Sequence, residues 1–416
     1  MYYGLCKDCR LVEGAKRGAI YNFQTGKVYS LNKSATQLLS ACEESTLDDL
    51  LDLSSSSSQK YLQFFDDLTS KGVGSLYTFA PDKLEETVQT SEASDDDVKL
   101  DFLWLELTSK CNNRCLHCYA TCGPLIETED CVPHERWLSL IAEASQSGAT
   151  AIQLIGGEPL MYPKWRDLVI KARESGFEFI EIFTNATLVD DTCINFFKEN
   201  DVSIATTIYS DCSDIHDKVT LNKGSFDKTI TAIRKILSAQ VPLRIASIIM
   251  KANENEAPKI MDLCKELGVE VTPPDVVRPT GRGDDKNMLP AAYSKQPIKP
   301  PFYTDALSFA SAQKQHSCLA GKIAVTSTGD IIPCIFARNQ LCGNILSETL
   351  ATVLSGQLLQ ECWHTTKDHI EKCKDCEFRY ACNDCRPLAQ GSDPEKRWLA
   401  CSSECSYNPY SGKWEE

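Results

Sequence analysis

Short apolar runs alternate with segments of helical periodicity through the middle of this chain. One such segment, 135–147, places Trp137, Leu140, Ile141 and Ala144 on a single helical face. Strand candidates alternate with segments of this kind and lie at 102–107, 151–155, 177–183, 202–209, 243–250 and 269–277. This alternation is typical of a parallel sheet covered by helices, either a barrel or a doubly wound sheet. In parallel barrels the chemistry lies on the loops after the carboxyl ends of the strands, so we expect the functional residues of this region on those loops.

The first part of the chain has a different pattern. Apolar and polar residues alternate on both sides of Thr25 and Gly26, which predicts a β-hairpin. Short helical segments follow at 34–44, 48–53 and 61–72. This order predicts a small winged-helix-like domain.

Two stretches with few core-forming residues divide the chain. The acidic stretch 91–97 predicts a linker, and the stretch 280–301, rich in Gly, Pro and Lys, predicts a second boundary. From these we expect three domains, at 1–92, 98–300 and 301–416.

Composition narrows the classes of function. The chain has 416 residues, with 43 Lys and Arg against 58 Asp and Glu, a formal net charge of -15. This balance argues against a nucleic acid partner, because phosphate binding needs clustered basic residues. The sequence has no apolar run of about 18 residues and no secretory signal, so we expect a cytoplasmic protein with no membrane partner. In such a protein 21 cysteines indicate metal or redox chemistry rather than disulfides.

The loop after the first strand candidate holds three closely spaced cysteines. Cys111, Cys115 and Cys118 have the spacing C-x3-C-x2-C. Three thiolates in one loop can bind three irons of a [4Fe–4S] cluster and leave the fourth iron open to a small molecule. The alternative is a zinc site with His117 or Cys122 as the fourth ligand, although zinc prefers ligands in pairs.

The next two loops bring polar groups to the same edge of the sheet. Gly156, Gly157 and Glu158 follow the second strand; the glycines would admit a ligand close to the backbone, and the glutamate could hold an ammonium group. Without the cysteines, a plain turn would be the preferred interpretation. Thr184 and Asn185 follow the third strand and suit ribose hydroxyls.

This order of motifs resembles that of the radical S-adenosylmethionine enzymes over about residues 100–285. The resemblance implies an α/β fold with a partial (βα)6 TIM-like barrel, and a [4Fe–4S] cluster on Cys111, Cys115 and Cys118. It also implies that S-adenosylmethionine binds the open iron and yields a 5'-deoxyadenosyl radical, which abstracts a substrate hydrogen. The residues it implies for cofactor binding are Gly156, Gly157, Glu158, Thr184, Asn185, Thr207 and Ser210.

The stretch 207–210 departs from the family pattern, which usually reads Ser-x-Asp-Gly at this place. Tyr209 stands at the aspartate position, so the contacts of Thr207 and Ser210 are the least specific of the set. His216 is expected to be a packing or helix-capping residue. The segment 278–283 matches one that is common in these enzymes after the last strand, with an expected structural role.

The last region contains a further set of cysteines. Their pattern resembles the SPASM extension of radical peptide-modifying enzymes, which holds two auxiliary [4Fe–4S] clusters. With the first cluster, this resemblance implies three clusters in the chain. Taken alone, the C-x2-C pairs would equally fit a zinc ribbon. The resemblance implies an outer cluster on Cys373, Cys376, Cys382 and either Cys401 or Cys405. It implies an inner cluster on Cys318, Cys334 and Cys385.

The inner set lacks a fourth cysteine. Family members often supply one a few residues after the first, but the segment between Cys318 and Cys334 contains none. Either Cys342 is the fourth ligand or one iron is open, and we hypothesise an open iron that takes the thiolate of a substrate cysteine. In a second departure, two residues separate Cys382 from Cys385, where the family usually has three.

The segment 18–90 resembles the small PqqD-like domain that binds leader peptides, in which the leader adds as a strand to an exposed edge. The alternative is an N-terminal cap peculiar to this family. Together the resemblances imply a maturase for a ribosomally made precursor peptide with a leader, reduced by a donor such as flavodoxin or ferredoxin. We expect a thioether cross-link from a cysteine sulfur to a substrate carbon. The alternatives are a carbon–carbon cross-link, a formylglycine-generating sulfatase maturase and a non-catalytic zinc-binding interaction protein.

Overall fold

The computed structural model describes residues 1–51, 58–78, 98–126, 130–294 and 298–415. The predicted linker 91–97 lies outside the described residues. Among the residues described, no helix combines the length and the apolar character that a bilayer span requires.

The N-terminal part combines two small antiparallel sheets, β1-β5 and β2-β3-β4, with helices, and it contains the predicted hairpin. Its elements are β1 (Tyr2–Leu5), β2 (Cys9–Glu13), β3 (Gly18–Asn22), β4 (Val28–Leu31), α1 (Lys33–Cys42), α2 (Leu47–Leu50), α3 (Ser58–Ser70) and β5 (Gly74–Tyr77). The predicted hairpin is β3–β4, whose turn holds Gly26 at a φ of +72°. Helix α1 begins where the side chain of Asn32 accepts a hydrogen bond from Ala35 N. Strand β4 lies at the edge of the sheet β2-β3-β4.

The middle part is the expected partial barrel. Its strands are β6 (Phe102–Glu106), β7 (Ala151–Ile155), β8 (Phe179–Phe183), β9 (Ser203–Thr206), β10 (Leu243–Ile245), β11 (Ile248–Ile249) and β12 (Asp275–Val276). Its helices are α4 (His134–Gln146), α5 (Trp165–Glu174), α6 (Asp191–Glu199), α7 (Ser213–Thr220), α8 (Ser225–Ser238) and α9 (Ala257–Leu267). Strands β6 to β10 pair in parallel, each with its neighbour in the chain. The fifth predicted strand is interrupted at Ala246 and Ser247, so that its second half, β11, pairs with β12 in a separate parallel ladder.

The C-terminal part continues the same sheet. Its elements are α10 (Ala306–Lys314), β13 (Lys322–Val325), β14 (Asp330–Ile332), β15 (Gly343–Asn344), α11 (Leu350–Leu354), α12 (Gln357–Trp363), α13 (Arg386–Ser392), β16 (Tyr407–Asn408) and β17 (Lys413–Trp414). Strand β13 pairs in parallel with β6, and β14 and β15 follow in antiparallel order. One hydrophobic core runs from Trp137 and Leu154 in the barrel to Ile323 and Trp363. The expected boundary at 300/301 therefore separates segments of sequence that share a sheet and a core.

The N-terminal part docks on the loop that carries the predicted outer-cluster cysteines. Tyr21 donates a hydrogen bond to the carbonyl oxygen of Glu377 (2.9 Å), and Arg379 donates one to the carbonyl oxygen of Glu13 (2.8 Å). Ala15 N donates to the carbonyl oxygen of Asp375 (2.8 Å). Tyr21 also packs with Phe302, Phe378 and Tyr407 in a separate apolar cluster. These contacts join the first and last parts of the chain directly.

Candidate active site and cluster sites

Cys111, Cys115 and Cys118 lie on the loop after β6 and line one cavity of about 510 Å³. Gly156, Gly157, Thr184, Asn185 and Thr207, which follow the next three strands, line the same cavity. The expectation that these loops share one mouth is therefore met by the geometry.

The electrostatics of this cysteine loop favour metal binding that is coupled to proton release. Burial raises the pKa of the Cys111 and Cys115 thiols to about 12. A hydrogen bond from the Cys122 thiol lowers the pKa of the Cys118 thiol. Arg282 holds the loop, since its guanidinium donates to the carbonyl oxygens of Cys115 (2.9 Å) and Cys122 (2.8 Å). Thiols bind iron as thiolates, so a metal entering this site displaces protons.

One of the two proposed fourth zinc ligands is engaged in another contact. In the described ranges, no three His, Cys, Asp or Glu side chains converge closely enough to hold a single metal ion. Each thiolate of a [4Fe–4S] cluster binds a different iron, so its sulfurs stand further apart than the roughly 4 Å of a tetrahedral zinc site. His117, one of the proposed zinc ligands, is instead engaged with the Tyr209 hydroxyl at 2.9 Å.

The glycines after β7 are required by packing between loops. A Cβ at Gly157 would collide with the carbonyl oxygen of Lys110, next to the first cysteine. Gly156 has a φ of +141°, and a Cβ there would lie 2.7 Å from the carbonyl oxygen of Thr108. The sequence suggested that these glycines admit a ligand close to the backbone. The structure gives a second reason for glycine at both positions, because only glycine lets this loop contact the cysteine loop.

Glu158 does not line the cavity, contrary to the contact expected from the sequence. Its side chain is fully buried and accepts hydrogen bonds from Thr184 Oγ1 (2.6 Å), Asn185 N (2.9 Å) and Leu160 N (3.1 Å). Burial raises the pKa of this carboxyl to about 7. The carboxylate therefore ties the loop after β7 to the loop after β8.

Ser210 also lies away from the cavity. It is fully buried, and its hydroxyl donates to Glu256 Oε2 at 2.6 Å. The neighbouring Tyr209 lines the cavity instead and contacts both the Cys115 thiol and His117. His216 packs its ring against Tyr209 at 5.3 Å and is buried, as expected of a packing residue.

The cavity has room and free polar groups for a nucleoside-sized cofactor. Ser247, which lines it, has a buried hydroxyl without a hydrogen-bond partner among the described residues. Asn185 donates to Asn112 Oδ1 at 2.8 Å, which anchors the loop after β8 on the cysteine loop. The residues present thus fit S-adenosylmethionine beside a cluster, with Thr184, Asn185, Thr207 and Ser247 as candidate contacts.

The predicted outer-cluster cysteines are brought together. Cys373, Cys376, Cys382, Cys401 and Cys405 surround one small cavity behind Phe378 and Trp414. The Cys373 and Cys401 sulfurs are 3.8 Å apart, and Cys401 also contacts the Cys405 thiol. Both candidates for the last ligand therefore reach the site, so the geometry keeps both in the candidate set.

The predicted inner set is brought together without Cys342. Burial raises the pKa of Cys334 to about 12, and Cys318 and Cys385 are close enough to raise it further. Arg278 donates a hydrogen bond to Cys385 Sγ at 3.2 Å. Cys342 directly precedes β15 and hydrogen-bonds the thiol of Cys362 in α12 instead. Its candidacy as the fourth ligand is not supported by this position.

Comparison with known families agrees with this geometry. Residues 105–264 match the family model of the radical SAM superfamily, and residues 318–377 match that of the SPASM iron-sulfur cluster-binding domain. This chain carries a radical SAM domain and a SPASM domain. The expected fold class is confirmed, and the coarse assignment of [4Fe–4S] clusters and S-adenosylmethionine follows from these domains.

Two curated proteins that are similar to this chain carry different names. The AdoMet-dependent heme synthase of Methanosarcina barkeri is 26% identical over 73% of this chain and 95% of that protein. The antilisterial bacteriocin subtilosin biosynthesis protein AlbA of Bacillus subtilis is 23% identical over 71% of this chain and 69% of that protein.

Solved structures share the fold over nearly the whole chain. Streptococcus suis SuiB bound to S-adenosylmethionine aligns with a TM-score of 0.57 at 16% identity, covering 97% of this chain and 100% of that one. SuiB bound to its precursor peptide SuiA aligns with a TM-score of 0.56 at 15% identity and the same coverage.

Some residues of the radical SAM and SPASM sites were missed at the sequence level. Arg278 and Arg282 each contact a different cysteine set, although the segment 278–283 was assigned only a structural role. Ser247 carried no sequence signal, since one serine inside an apolar run is common. The position of both arginines directly after the last barrel strand was the available signal, because loops at that end carry the chemistry.

Proposed function

We propose that this chain is a radical SAM maturase that cross-links a ribosomally made precursor peptide, joining a cysteine sulfur to a substrate carbon. The observation that carries the proposal is the extent of the main cavity. It reaches from the three cysteines after β6 to Arg278 and Phe336, which flank the inner cysteines Cys385 and Cys334. A bound substrate could therefore contact both sites at once.

The cluster and S-adenosylmethionine, when bound, supply a 5'-deoxyadenosyl radical that removes one hydrogen atom from a substrate carbon. Forming the C–S bond breaks one C–H bond and one S–H bond. The hydrogen atom of the C–H bond leaves in 5'-deoxyadenosine. The hydrogen of the S–H bond leaves as a proton, and one electron remains on the product. The proposed auxiliary clusters accept that electron, and an external donor such as flavodoxin or ferredoxin reduces the first site.

The cavity wall suits a peptide side chain and excludes water from a radical. Phe102, Trp104, Phe179 and Phe183 line it from the inside of the barrel strands. Apolar walls of this kind bury most of a bound ligand and protect a reactive intermediate from solvent.

The inner site supports a role for the substrate thiolate. Three cysteines and the Arg278 guanidinium meet there, and Cys342 is engaged elsewhere. We propose that one iron of an inner cluster is open and binds the thiolate of the substrate cysteine. Arg278, which lines the cavity, would favour the approach of this anion.

The leader peptide is proposed to add to the edge strand β4. The start of this edge is already paired, because Val28 N donates to Phe302 O (3.2 Å) and Thr304 N donates to Gly26 O (2.8 Å). Ser30 is exposed further along the same edge, so a leader strand would pair from there. SuiB binds its precursor peptide SuiA, and AlbA serves bacteriocin biosynthesis; both support a peptide substrate for this chain.

The test is mass spectrometry of a precursor peptide coexpressed with this chain. A thioether predicts loss of two hydrogens per cross-link and a cysteine that iodoacetamide no longer alkylates. A carbon–carbon cross-link gives the same mass loss but leaves the cysteine alkylatable. A sulfatase maturase would act on Cys or Ser of a sulfatase peptide without a leader. A colourless zinc protein without iron would overturn the enzyme assignment altogether.

A further inference from the structure

Lys367 is a buried lysine that the proposed reaction does not use. It begins a short 3-10 turn after α12, and its side chain is only 8% exposed. Its ammonium nitrogen lies 3.9 Å from Cys382 Sγ and 3.3 Å from the carbonyl oxygen of Asn383. Lysines are almost never buried without a charged partner.

The partner of Lys367 is a carboxylate between the two auxiliary sites. Asp384 Oδ1 lies 3.8 Å from Lys367 Nζ, and Asp384 stands between Cys382 and Cys385 in the chain. Arg386, fully buried, also binds this carboxylate, with Nη2 2.7 Å from Oδ1. The group therefore contains two cations and one anion.

His316 completes the group and connects it to the inner site. Its Nδ1 accepts hydrogen bonds from Cys318 N (3.0 Å) and Leu319 N (3.1 Å), so its proton is on Nε2. Nε2 faces Asp384 Oδ2 at 3.3 Å. Lys367, Arg386 and Asp384 by themselves carry one net positive charge.

Other charges near the outer cysteines have less direct roles. Arg379 lines the same small cavity but pairs with Asp368 Oδ1 at 2.9 Å. Lys372 also lines it and is partly exposed. Glu377 follows Cys376 in the chain and is buried, and its Oε1 accepts a hydrogen bond from the Tyr407 hydroxyl at 2.5 Å. Lys367 alone among these cations has a described contact with a cysteine sulfur.

Five cysteines surround this cavity, enough to supply the four thiolates of a [4Fe–4S] cluster, which then carries net negative charge. A buried anion of this kind needs a nearby positive charge. We propose that Lys367 is the buried counter-ion of the outer cluster and raises its reduction potential, through its charge and its N–H···S contact with Cys382. Asp384 positions Lys367 and, through His316, joins the outer site to the inner one. The proposal rests on a cluster at the outer site and not on the identity of the peptide.

The physical basis is the dependence of cluster potential on local charge. Reduction adds one electron, and hydrogen bonds to the sulfurs and positive charge stabilise the reduced form. Removing the ammonium therefore shifts the potential of the outer cluster to more negative values.

The experiment is an EPR-monitored redox titration of the anaerobically reconstituted full chain. Cys111, Cys115 and Cys118 are replaced by Ala to remove the first cluster, and the outer signal is identified by its loss in Cys376→Ala. Lys367→Met removes the charge at similar length. Lys367→Arg keeps the charge. The control is Lys396→Met, since Lys396 pairs with Asp284 at the surface.

We expect a more negative outer potential in Lys367→Met, recovery toward the parent value in Lys367→Arg, and no change in Lys396→Met. A parent-like potential in Lys367→Met with full iron content would overturn the proposal. If Lys367→Met loses the outer irons while Lys367→Arg retains them, the need for a positive charge is supported. Loss of iron in both variants, with native circular dichroism, would contradict it, because shape and not charge would then be required. Absence of iron at the outer site of the parent would instead overturn the cluster assignment.

Discussion

Thr184 donates a hydrogen bond to Glu158 across 2.6 Å and so closes a polar contact between the loops after β8 and β7. The carboxyl is fully buried, which raises its pKa to about 7. Glu158, which the resemblance implies as a contact of the cofactor amine, thereby fixes the relative position of two cofactor loops.

The raised pKa of Glu158 predicts a pH dependence of stability. The folded protein holds the Glu158 proton more tightly than the unfolded chain, so this group stabilises the fold most below pH 4.5 and loses that contribution as pH rises to about 7. In cofactor-free protein, we expect the Tm of the parent to fall relative to Glu158→Gln between these pH values. Thermal unfolding across the range measures the difference. A constant difference would show that Glu158 titrates normally.

The three cysteines after β6 are predicted to hold only the first cluster. Replacing Cys111, Cys115 and Cys118 with Ala should abolish 5'-deoxyadenosine formation, while the C-terminal sites keep their iron. Iron analysis should fall from about twelve to about eight irons per chain if the three proposed clusters are present. Continued cleavage of S-adenosylmethionine by the triple variant would rule out this site.

Asn185 is predicted to support cofactor binding through its bond to Asn112. Asn185→Ala removes this 2.8 Å contact and a polar group from the cavity wall. We expect about tenfold weaker binding of S-adenosylmethionine, corresponding to about 1.4 kcal/mol, in calorimetry of the reconstituted protein.

The matched control for Asn185 is Asn200→Ala. Asn200 ends α6, and its amide bonds Phe196 O at 2.9 Å within that helix. The Asn200→Ala variant should bind S-adenosylmethionine with the affinity of the parent. Equal loss in both variants would assign the effect to general destabilisation of the barrel.

The open edge of β4 predicts how a leader peptide is recognised. Ser30→Pro removes the backbone N–H that a leader strand would meet, whereas Ser30→Ala removes only the hydroxyl that contacts Arg17 Nε at 3.0 Å. We expect Ser30→Pro to weaken leader binding in fluorescence anisotropy by at least about tenfold, as one lost strand contact propagates to its neighbours. Ser30→Ala should bind like the parent. If both variants bind the leader as tightly as the parent does, the leader binds at a site other than the edge of β4.

Much of the fold follows from the sequence by itself. Local periodicity predicted most of the barrel helices and strands, because each element buries an apolar face against its neighbours. Helix α7 was not predicted, and of the last strand candidate, 269–277, only Asp275–Val276 forms a strand. The addition of β13 to β6 was not predictable, since the segment 322–325 is short and its partner lies more than two hundred residues earlier. The break between β10 and β11 was not predictable either, because both strands lie within one apolar run of the sequence.

The residues of the candidate site also fall into those that the sequence predicted and those that only the structure placed. Cysteine spacing and the order GGEP then TNA carried the resemblance to the radical SAM enzymes, because these motifs follow consecutive strands. The cysteine spacing by itself left a zinc site open as the alternative. Tertiary structure alone decided that Ser210 and Glu158 turn into the protein, that Cys342 meets Cys362, and that Lys367 reaches Cys382. The physical reason is that the spacing of the cysteines is a local property of the sequence. The burial and charge around those thiols come from segments that meet only when the sheet and its C-terminal extension pack together.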